Sequence, residues 1–279
     1  MTKSDLNPKV SVIVAVYNLE DCIEKSLQTI LNQTCNDFEV LVYEDASLDH
    51  SREILQKIAE NDSRIRLLLA DKNSGQAFGR NQCLSQARGE YIAIHDGDDY
   101  SVPERLEKQS AFLEKNPDYN FVASWGNIID EHGNIIEVRN SSQGDMKKEA
   151  FLWGMPFFHG TAMFRKDVME QVGGYRVDSQ TRFRGEDYDM VMRMYMEGFR
   201  CYILPDRLYI YAENTDAWKR RKYRYRFSEF RMRWSNFKLL GLMPKGIPYA
   251  VKPMIVGLLP QRLLHNLRRR STKTEKEDS

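Results

Sequence analysis

Three carboxylates stand within four positions of the segment His95–Asp99, at Asp96, Asp98 and Asp99. They follow Tyr91–Ile94, a short apolar run that is typical of a buried strand. Like charges at this spacing raise one another's pKa or attract a cation. Carboxylate oxygens suit Mg²⁺ and Mn²⁺, which commonly share their coordination with phosphate. Taken alone, the segment fits a metal site and a solvated Asp-Gly turn about equally well.

The elements that must position these acids indicate a parallel α/β sheet. Three helical patterns alternate with four apolar runs, which are Val10–Tyr17, Phe38–Tyr43, Ile65–Ala70 and Tyr91–Ile94. That alternation predicts a doubly wound sheet, in which ligands bind beyond the carboxyl ends of the strands. We therefore expect Tyr17, Asp45 and Asp96 to meet in one crevice. No glycine-rich phosphate loop follows the first strand, which argues against a nicotinamide or P-loop enzyme.

Local signals predict where individual elements begin and end. Asn18 is expected to cap a helix that runs from Leu19 to about Gln33. Downstream, Gly198 is expected to terminate the helix that follows Gly185. Two short strands are predicted after it, at 201–204 and 208–211.

Composition limits the class of protein. The 279 residues suffice for one large domain with an appendage, and the four cysteines include no Cys-x-x-Cys pair. We therefore expect free thiols in a reducing compartment, and neither a disulfide framework nor a zinc site. The first eight residues are polar, and no apolar run reaches the ~18 residues of a spanning helix. These features favour a cytoplasmic location.

The charge is divided unevenly along the chain. Residues 219–270 contain fifteen Lys and Arg against one acid, while the body before them is acidic. We expect residues 216–270 to form a basic, aromatic, helical extension and residues 271–279 to be disordered. The extension either meets an anionic membrane surface or packs on the body as a solvated helix. Nucleic-acid binding is disfavoured, because no recognition motif appears.

Five segments in this order resemble glycosyltransferase family 2, whose members have the GT-A fold and usually invert the anomeric carbon. They are Ser11–Asn18, Glu44–Asp49, Asn73–Gly75 with Arg80 and Asn81, Asp96–Asp99, and Gly173–Tyr175 with Glu186 and Asp187. The similarity covers roughly residues 9–212. It implies an α/β, Rossmann-like GT-A domain over residues 1–215, with a mixed, mostly parallel sheet flanked by helices.

The resemblance implies roles on the donor side. A nucleotide-sugar donor, expected to be UDP-linked, would be held by Ala15, Tyr17, Glu20, Asp45, Gly75, Arg80, Asp96 and Gly97. Asp98, helped by Asp96, would bind Mn²⁺ or Mg²⁺ across the diphosphate and offset charge on the leaving group. Three of these assignments have a structural alternative. Asp45 could cap a helix, Arg80 could serve merely to pair with a nearby carboxylate, and Tyr17 could belong to the core.

On the acceptor side, the resemblance implies that Asp187 is the general base and that Glu186 orients the acceptor. Trp153, His159 and Gly160 would face that acceptor, a glycan or lipid-linked glycan. The alternatives are that Asp187 only stabilises a helix start and that His159 is structural.

One departure from the family concerns the stretch after Tyr211, which lacks the histidine that many relatives carry near the metal or diphosphate. Either Glu213 or Asn214 replaces it, or the loop works differently. Two other functions remain open from sequence: a metal-dependent phosphohydrolase of nucleotide sugars, and a non-catalytic scaffold that binds sugar nucleotides or membranes. Lipid-linked acceptors would place the protein peripherally on the inner face of the membrane.

Overall fold

The computed structural model describes residues 7–140, 143–178, 185–213 and 223–258. In this part of the chain, ten strands form one mixed sheet. The strands are β1 (Val10–Val16), β2 (Phe38–Glu44), β3 (Ile65–Leu69), β4 (Tyr91–Asp96), β5 (Tyr100–Ser101), β6 (Phe121–Ile129), β7 (Ile135–Arg139), β8 (Gly144–Asp145), β9 (Met163–Arg165) and β10 (Cys201–Ala212).

Eight α-helices lie within the described residues. They are α1 (Ile23–Leu31), α2 (Ser51–Asn61), α3 (Gln76–Gln86), α4 (Arg105–Lys115), α5 (Lys166–Gln171), α6 (Glu186–Met196), α7 (Tyr223–Leu239) and α8 (Ile247–Leu258). Short 3₁₀ helices occupy Lys148–Leu152 and His159–Thr161.

The main path of the sheet has the order β3-β2-β1-β4-β9-β6-β10-β5, with β7 on β6 and β8 on β10. Strands β3, β2, β1 and β4 are mutually parallel, and β9 is antiparallel to both β4 and β6. The carboxyl ends of β1, β2 and β4 therefore lie side by side. This confirms the predicted mixed, mostly parallel sheet and creates the expected crevice edge.

Alternation along the parallel strands builds two cores, one on each face of the sheet. In β1, Val10, Val12, Val14 and Val16 belong to one cluster of buried residues, while Ile13 belongs to the other. Successive side chains of a strand point to opposite faces, so a strand that is apolar on both faces must be covered by helices on both.

Two local predictions were wrong. Asn18 does not cap α1, which begins at Ile23; it has a positive φ of 54°. Its backbone N–H donates to Ser47 Oγ, and its Oδ1 accepts from Leu48 N–H, so it joins two loops at the crevice edge. The two short strands predicted near the end are one strand, β10, because register shifts between Leu204 and Tyr209 let it continue beside β6.

Helices α7 and α8 pack on the body. Met232, Phe237, Leu240, Leu242 and Ala250 are buried in the larger apolar cluster together with residues of α6. Lys148 Nζ also donates to the carbonyl of Leu240 at 2.9 Å.

Among the described residues, no helix is both long and apolar enough to cross a membrane. The predicted disordered tail, 271–279, lies outside the described residues, as does Asn214.

Candidate functional site

The acidic turn follows β4 and is joined to α3 by an ion pair. Arg80, which is 3% exposed, donates through Nη2 to Asp96 Oδ1. Burial alone disfavours the charged guanidinium, but Asp96, with Glu186 and Asp187 nearby, raises the pKa of Arg80 above its ordinary value. Gln76 Nε2 lies 3.3 Å from the same oxygen of Asp96. This contact is the pairing with a carboxylate that the sequence left open as the alternative role of Arg80, and contact of either residue with a nucleotide stays a prediction.

The ionised forms of Asp98 and Asp99, the next two acids of the turn, are disfavoured by their surroundings. Burial, and then the charge of Asp96, raises the pKa of the Asp98 carboxyl. Burial and both neighbouring acids raise the pKa of Asp99 well above its ordinary value. Asp99 is 1% exposed, and its Oδ1 accepts from Ala212 N–H at 3.0 Å, which ties the turn to the end of β10. Asp99 thus shapes the turn, whereas a cation beside Asp98 would relieve the repulsion.

The donor set of the turn fits a hard cation only in part. Among the described residues, no three His, Cys, Asp or Glu side chains converge on a point that could hold a metal. Asp98 offers carboxylate oxygens, and Asp96 is shared with Arg80. Mg²⁺ is commonly held by one or two carboxylates together with phosphates and water, so this set suits an ion bound with a diphosphate.

The strand end is fixed by a buried polar group that the sequence analysis missed. His95 Nε2 lies 2.9 Å from Ser26 Oγ, and its Nδ1 lies 3.1 Å from Ser101 Oγ. Burial, with the charge of Arg105, lowers the pKa of His95 to about 3, so the ring is neutral. Arg105 in turn donates to the carbonyl of Ile94 at 2.7 Å. The one sequence signal was the polar residue inside an otherwise apolar strand.

Asp45 lies at the end of β2 and organises the loop before α3. Its Oδ1 accepts from Ser74 N–H at 2.7 Å, and its Oδ2 accepts from Gly75 N–H at 2.8 Å. Asp45 is 3% exposed, so both oxygens are already engaged with backbone. Gly75 has a φ of 92°, which suits glycine at this helix start. The interaction of Asp45 with a base remains a prediction, because the observed bonds already give this carboxylate a structural role.

The other predicted nucleotide contacts differ in exposure. Tyr17 follows β1 and is 42% exposed, so it is not a core residue. Ala15 pairs in register with Asp96 of β4, which brings its backbone to the crevice edge. Glu20 is exposed and accepts from His50 N–H at 2.8 Å. Gly97 is buried, and a Cβ there would lie 2.8 Å from Leu19 Cδ1, so close packing explains this glycine without invoking a ligand.

The second acid pair begins α6, after Gly185, which has a φ of 86°. Burial, and then the charge of Asp187, raises the pKa of Glu186 to about 7 even though Arg80 opposes the shift. Glu186 Oε1 lies 4.0 Å from Arg80 Nη1. Asp187 Oδ1 accepts from Tyr188 N–H at 2.7 Å in the first turn of the helix. Arg80 therefore stands between the acids of the β4 turn and those of α6.

A buried carboxylate that the sequence analysis also missed holds α6 in place. Asp189 is fully buried and accepts from Arg193 Nε at 2.8 Å and from Arg176 Nη1 at 3.1 Å. Asn236 of α7 donates to the same carboxylate at 3.0 Å. The C-terminal helices thus support the helix that carries Glu186 and Asp187.

The three predicted acceptor-side residues fall into two groups. Trp153 is 72% exposed and meets the ring of Tyr249 on α8 edge-on, with centroids 4.9 Å apart. His159 is 6% exposed, and a Cβ on buried Gly160 would lie 2.3 Å from the hydroxyl of Tyr209. Trp153 is the exposed member of the three, and contact of an acceptor with Trp153, His159 or Gly160 stays a prediction.

Comparison with known proteins agrees with this architecture. A family model described as "Glycosyl transferase family 2" matches residues 11–173. The putative glycosyltransferase EpsE of Bacillus subtilis (strain 168) is 37% identical over 278 residues, which are 97% of this chain and 96% of that protein. An uncharacterized glycosyltransferase of Methanocaldococcus jannaschii is 31% identical over 240 residues, covering 83% of this chain and 81% of its own.

Two solved structures share the fold. Residues 1–349 of S. aureus TarS in complex with UDP-GlcNAc superpose with a TM-score of 0.68 at 19% identity, over 88% of this chain and 73% of that one. The mannosyltransferase PcManGT from Pyrobaculum calidifontis, in complex with GDP-Man and Mn²⁺, gives a TM-score of 0.63 at 24% identity, over 95% and 81%. These similarities confirm the predicted GT-A architecture.

Proposed function

The chain belongs to glycosyltransferase family 2 and is a glycosyltransferase, and from this premise we propose the reaction of its site. We propose that it moves a sugar from a UDP-linked donor to a hydroxyl of a glycan or lipid-linked glycan, with inversion at the anomeric carbon. Asp98, helped by Asp96, would hold Mn²⁺ or Mg²⁺, whose positive charge would offset that of the departing UDP.

One observation carries this proposal: Arg80 is paired with Asp96 on one side and lies 4.0 Å from Glu186 on the other. The acids of the β4 turn and the acids of α6 are about ninety positions apart in the chain. A phosphate-and-metal function needs the first pair, and deprotonation of an acceptor needs a base such as the second pair offers. Transfer requires both groups in one crevice.

Asp187 is the proposed base. It would take the proton of the acceptor hydroxyl as that oxygen attacks the anomeric carbon opposite the leaving UDP, and one such displacement inverts the carbon. Glu186, whose pKa is raised to about 7, is the neighbour that would orient the acceptor hydroxyl. Since a general base is most effective with a pKa near the operating pH, Glu186 is the specific alternative to Asp187.

Asp98, with Asp96, would hold the cation, which when bound supplies positive charge beside the departing diphosphate. The raised pKa of Asp98 supports this assignment, because repulsion within the turn disfavours the bare carboxylate. Tyr17 is exposed at the end of β1, where it would cover the base of the nucleotide.

The donor assignment is tested by thermal shift with MnCl₂ and a panel of UDP- and GDP-sugars. A ligand that binds only the folded protein raises its melting temperature by mass action. We expect UDP-linked donors to raise it more than GDP-linked donors at equal concentration. A larger shift with GDP-linked sugars would overturn the choice of UDP, while leaving glycosyl transfer in place.

The reaction is tested by UDP release with and without candidate glycan acceptors. We expect release that depends on the acceptor and is lost in Asp187→Asn, which should still bind UDP. A phosphohydrolase would instead cleave the diphosphate of the donor with water, releasing UMP and a sugar phosphate at the same rate without acceptor and in the Asp187→Asn variant, as chromatography of the nucleotide products would show. That result would replace the transferase proposal with hydrolysis.

We further propose that residues 216–270, as an extension of a catalytic domain at 1–215, bring the enzyme to an anionic membrane from the cytoplasmic side. The support comes from the outward face of α7, where Phe227 and Trp234 are 49% and 42% exposed. Phe230 lies between them, with ring centroids 6.3 and 5.7 Å away. Exposed Arg231 and Lys238 share this face. Aromatic rings beside basic side chains suit the headgroup region.

Liposome flotation tests this surface. Full-length protein should float with vesicles of 30% anionic lipid, and Phe227→Ser with Trp234→Ser should remain in the unbound fraction. The double variant Ile135→Ser, Ile136→Ser is the control, since it removes two exposed apolar side chains from β7. Equal flotation of both double variants, or none by the wild type, would contradict membrane binding through α7.

A further inference from the structure

We propose that Tyr175 is a positioning residue, which fixes the guanidinium of Arg80 between Asp96 and Glu186. Tyr175 acts through Arg80, whose guanidinium carbon lies 5.4 Å from the centroid of the Tyr175 ring. This inference rests on the proposed function for its catalytic consequence but on geometry alone for the positioning itself.

Arg80 needs an external guide because its own hydrogen bonds leave its orientation open. Among the described residues, the contact with Asp96 is its one close ion pair, since Glu186 stands at 4.0 Å. Arg80 Nε is buried and has no hydrogen-bond partner among the described residues. A guanidinium held by one nitrogen can turn toward either acid pair, and the face of an aromatic ring restricts that rotation.

Tyr175 is held from two directions, and is therefore a fixed surface. Asn81 pairs with its backbone on both sides, accepting from Tyr175 N–H at 2.8 Å and donating to the Tyr175 carbonyl at 2.7 Å. The hydroxyl of Tyr175 lies 2.6 Å from His159 Nε2. His159 is neutral, because burial and the charge of Arg80 lower its pKa well below the ordinary value.

The sequence around the tyrosine serves the same contact. Gly174 has a φ of 63°, and a Cβ there would lie 2.5 Å from Asn81 Oδ1. A side chain at 174 would therefore push the amide of Asn81 away from Tyr175. Arg80 and Asn81 are neighbours in α3. A displacement of Asn81, which holds the backbone of Tyr175, would therefore also displace Arg80.

The bonds between Asn81 and Tyr175 also join two parts of the chain. Arg80 and Asn81 belong to α3, whereas Tyr175 lies in the connection between α5 and α6. Arg193 of α6 donates to the carbonyl of Gly174 at 2.6 Å, which links this connection to the helix that carries Glu186. A shift of Tyr175 should therefore disturb Arg80 relative to Glu186 more than relative to Asp96.

The positioning is tested without any substrate by NMR of the full-length protein labelled with ¹⁵N-arginine. In the wild type we expect separate Nη signals for Arg80, because rotation of its guanidinium is hindered. Tyr175→Phe removes the hydroxyl held by His159 and should merge these signals. Tyr195→Phe is the control, since it removes another tyrosine hydroxyl that bonds a backbone carbonyl, Met146 O at 2.7 Å. Unchanged Arg80 signals in Tyr175→Phe would overturn the proposal.

The catalytic consequence is tested by a double-variant cycle on acceptor-dependent transfer. Tyr175→Phe should lower kcat about 3- to 10-fold, the change that loss of one neutral hydrogen bond produces, while the donor KM stays within about twofold. In the Arg80→Lys background the same substitution should have no further effect. An equal loss in both backgrounds would show a merely structural role. Absence of transfer in the wild type would refute the proposed function and leave the NMR result standing.

Discussion

The two acid pairs of the site differ in how their charge is compensated. Asp96 at the end of β4 has a close ion pair with Arg80, while Asp98 beside it has a raised pKa. In α6, Glu186 has a pKa raised to about 7 and stands farther from the same guanidinium. Asp96 of the first pair therefore already binds one positive group, whereas in the second pair the carboxyl of Glu186 can exchange a proton near neutral pH.

The two acid pairs also differ in the residues that support them. The β4 turn is held by His95, which is buried within the parallel unit. The start of α6 depends on distant segments instead, since Asp189 is bonded by Asn236 of α7. Substitutions in α7 or α8 should thus disturb Glu186 and Asp187 more than they disturb the turn Asp96–Asp99.

The largest expected effect is that of Asp187→Asn. It should lower acceptor-dependent transfer about 10²- to 10⁴-fold, the contribution of a general base, and leave UDP binding unchanged. Asp167→Asn is the matched control, because Asp167 accepts from Val168 N–H at 2.8 Å in the same way at the start of α5. Steady-state kinetics of both variants measure the difference. If Glu186→Gln abolishes transfer and Asp187→Asn does not, the base is Glu186.

The β4 turn should show its distinct role in cation dependence. Asp98→Asn is expected to lower transfer about 10²-fold at saturating donor, because a cation at the leaving group contributes several kcal/mol. It should also abolish the effect of added MnCl₂ on UDP affinity, measured by calorimetry. Asp21→Asn, a nearby exposed acid, should keep that effect. A Mn²⁺ response that survives in Asp98→Asn would remove Asp98 from the metal site.

The dependence of α6 on the C-terminal helices is tested by Asn236→Ala. Loss of this buried hydrogen bond to a charged group should cost about 1–3 kcal/mol, which corresponds to a fall of several degrees in melting temperature. Calorimetry measures the fall, and Ser235→Ala on the neighbouring position serves as the control. Transfer should decline with Asn236→Ala while UDP binding persists. Equal loss of both activities would contradict the separate support of the two pairs.

The smallest expected effect concerns pH. Glutamic acid ordinarily ionises near 4.5, whereas folded Glu186 ionises at about 7. Loss of the proton between these values therefore favours the unfolded chain, and Glu186 contributes falling stability as pH rises through this window. Glu186→Gln removes this penalty, so its melting temperature should exceed that of the wild type at pH 8, with a smaller difference at pH 5. A difference independent of pH would contradict the raised pKa.

The positions of the residues at the ends of β1, β2 and β4 could be predicted well, because they directly follow parallel strands that are neighbours in the sheet. Apolar runs such as Val10–Tyr17 mark strands that are buried on both faces, and the acids after them must share one edge. The positions of Asp45 and Asp96 were therefore available from pattern alone. The structural role of Asp45, whose carboxylate binds two backbone N–H groups, was not, because it depends on a loop thirty residues later.

The surroundings of Tyr175 and α6 were less predictable, because contacts between distant parts of the chain determine them. Nothing local in the sequence shows that His159 is buried against Tyr175 or that Asn236 reaches Asp189. The continuous strand β10 depends on irregular register beside β6, which a period-two pattern does not reveal. The sequence left open whether the C-terminal extension packs on the body or meets a membrane. The inner face of α7 is buried against the body, and its outer face is aromatic and basic.

We propose that both acid pairs serve one donor-and-acceptor crevice. Crystals of the full-length protein soaked with UDP and MnCl₂ test it most directly, through an anomalous difference map at the manganese edge. We predict one strong peak bound by Asp98 and the diphosphate, with UDP between Tyr17 and Arg80 and its diphosphate directed toward Glu186 and Asp187. A manganese peak away from the β4 turn, or UDP bound outside this crevice, would contradict the account.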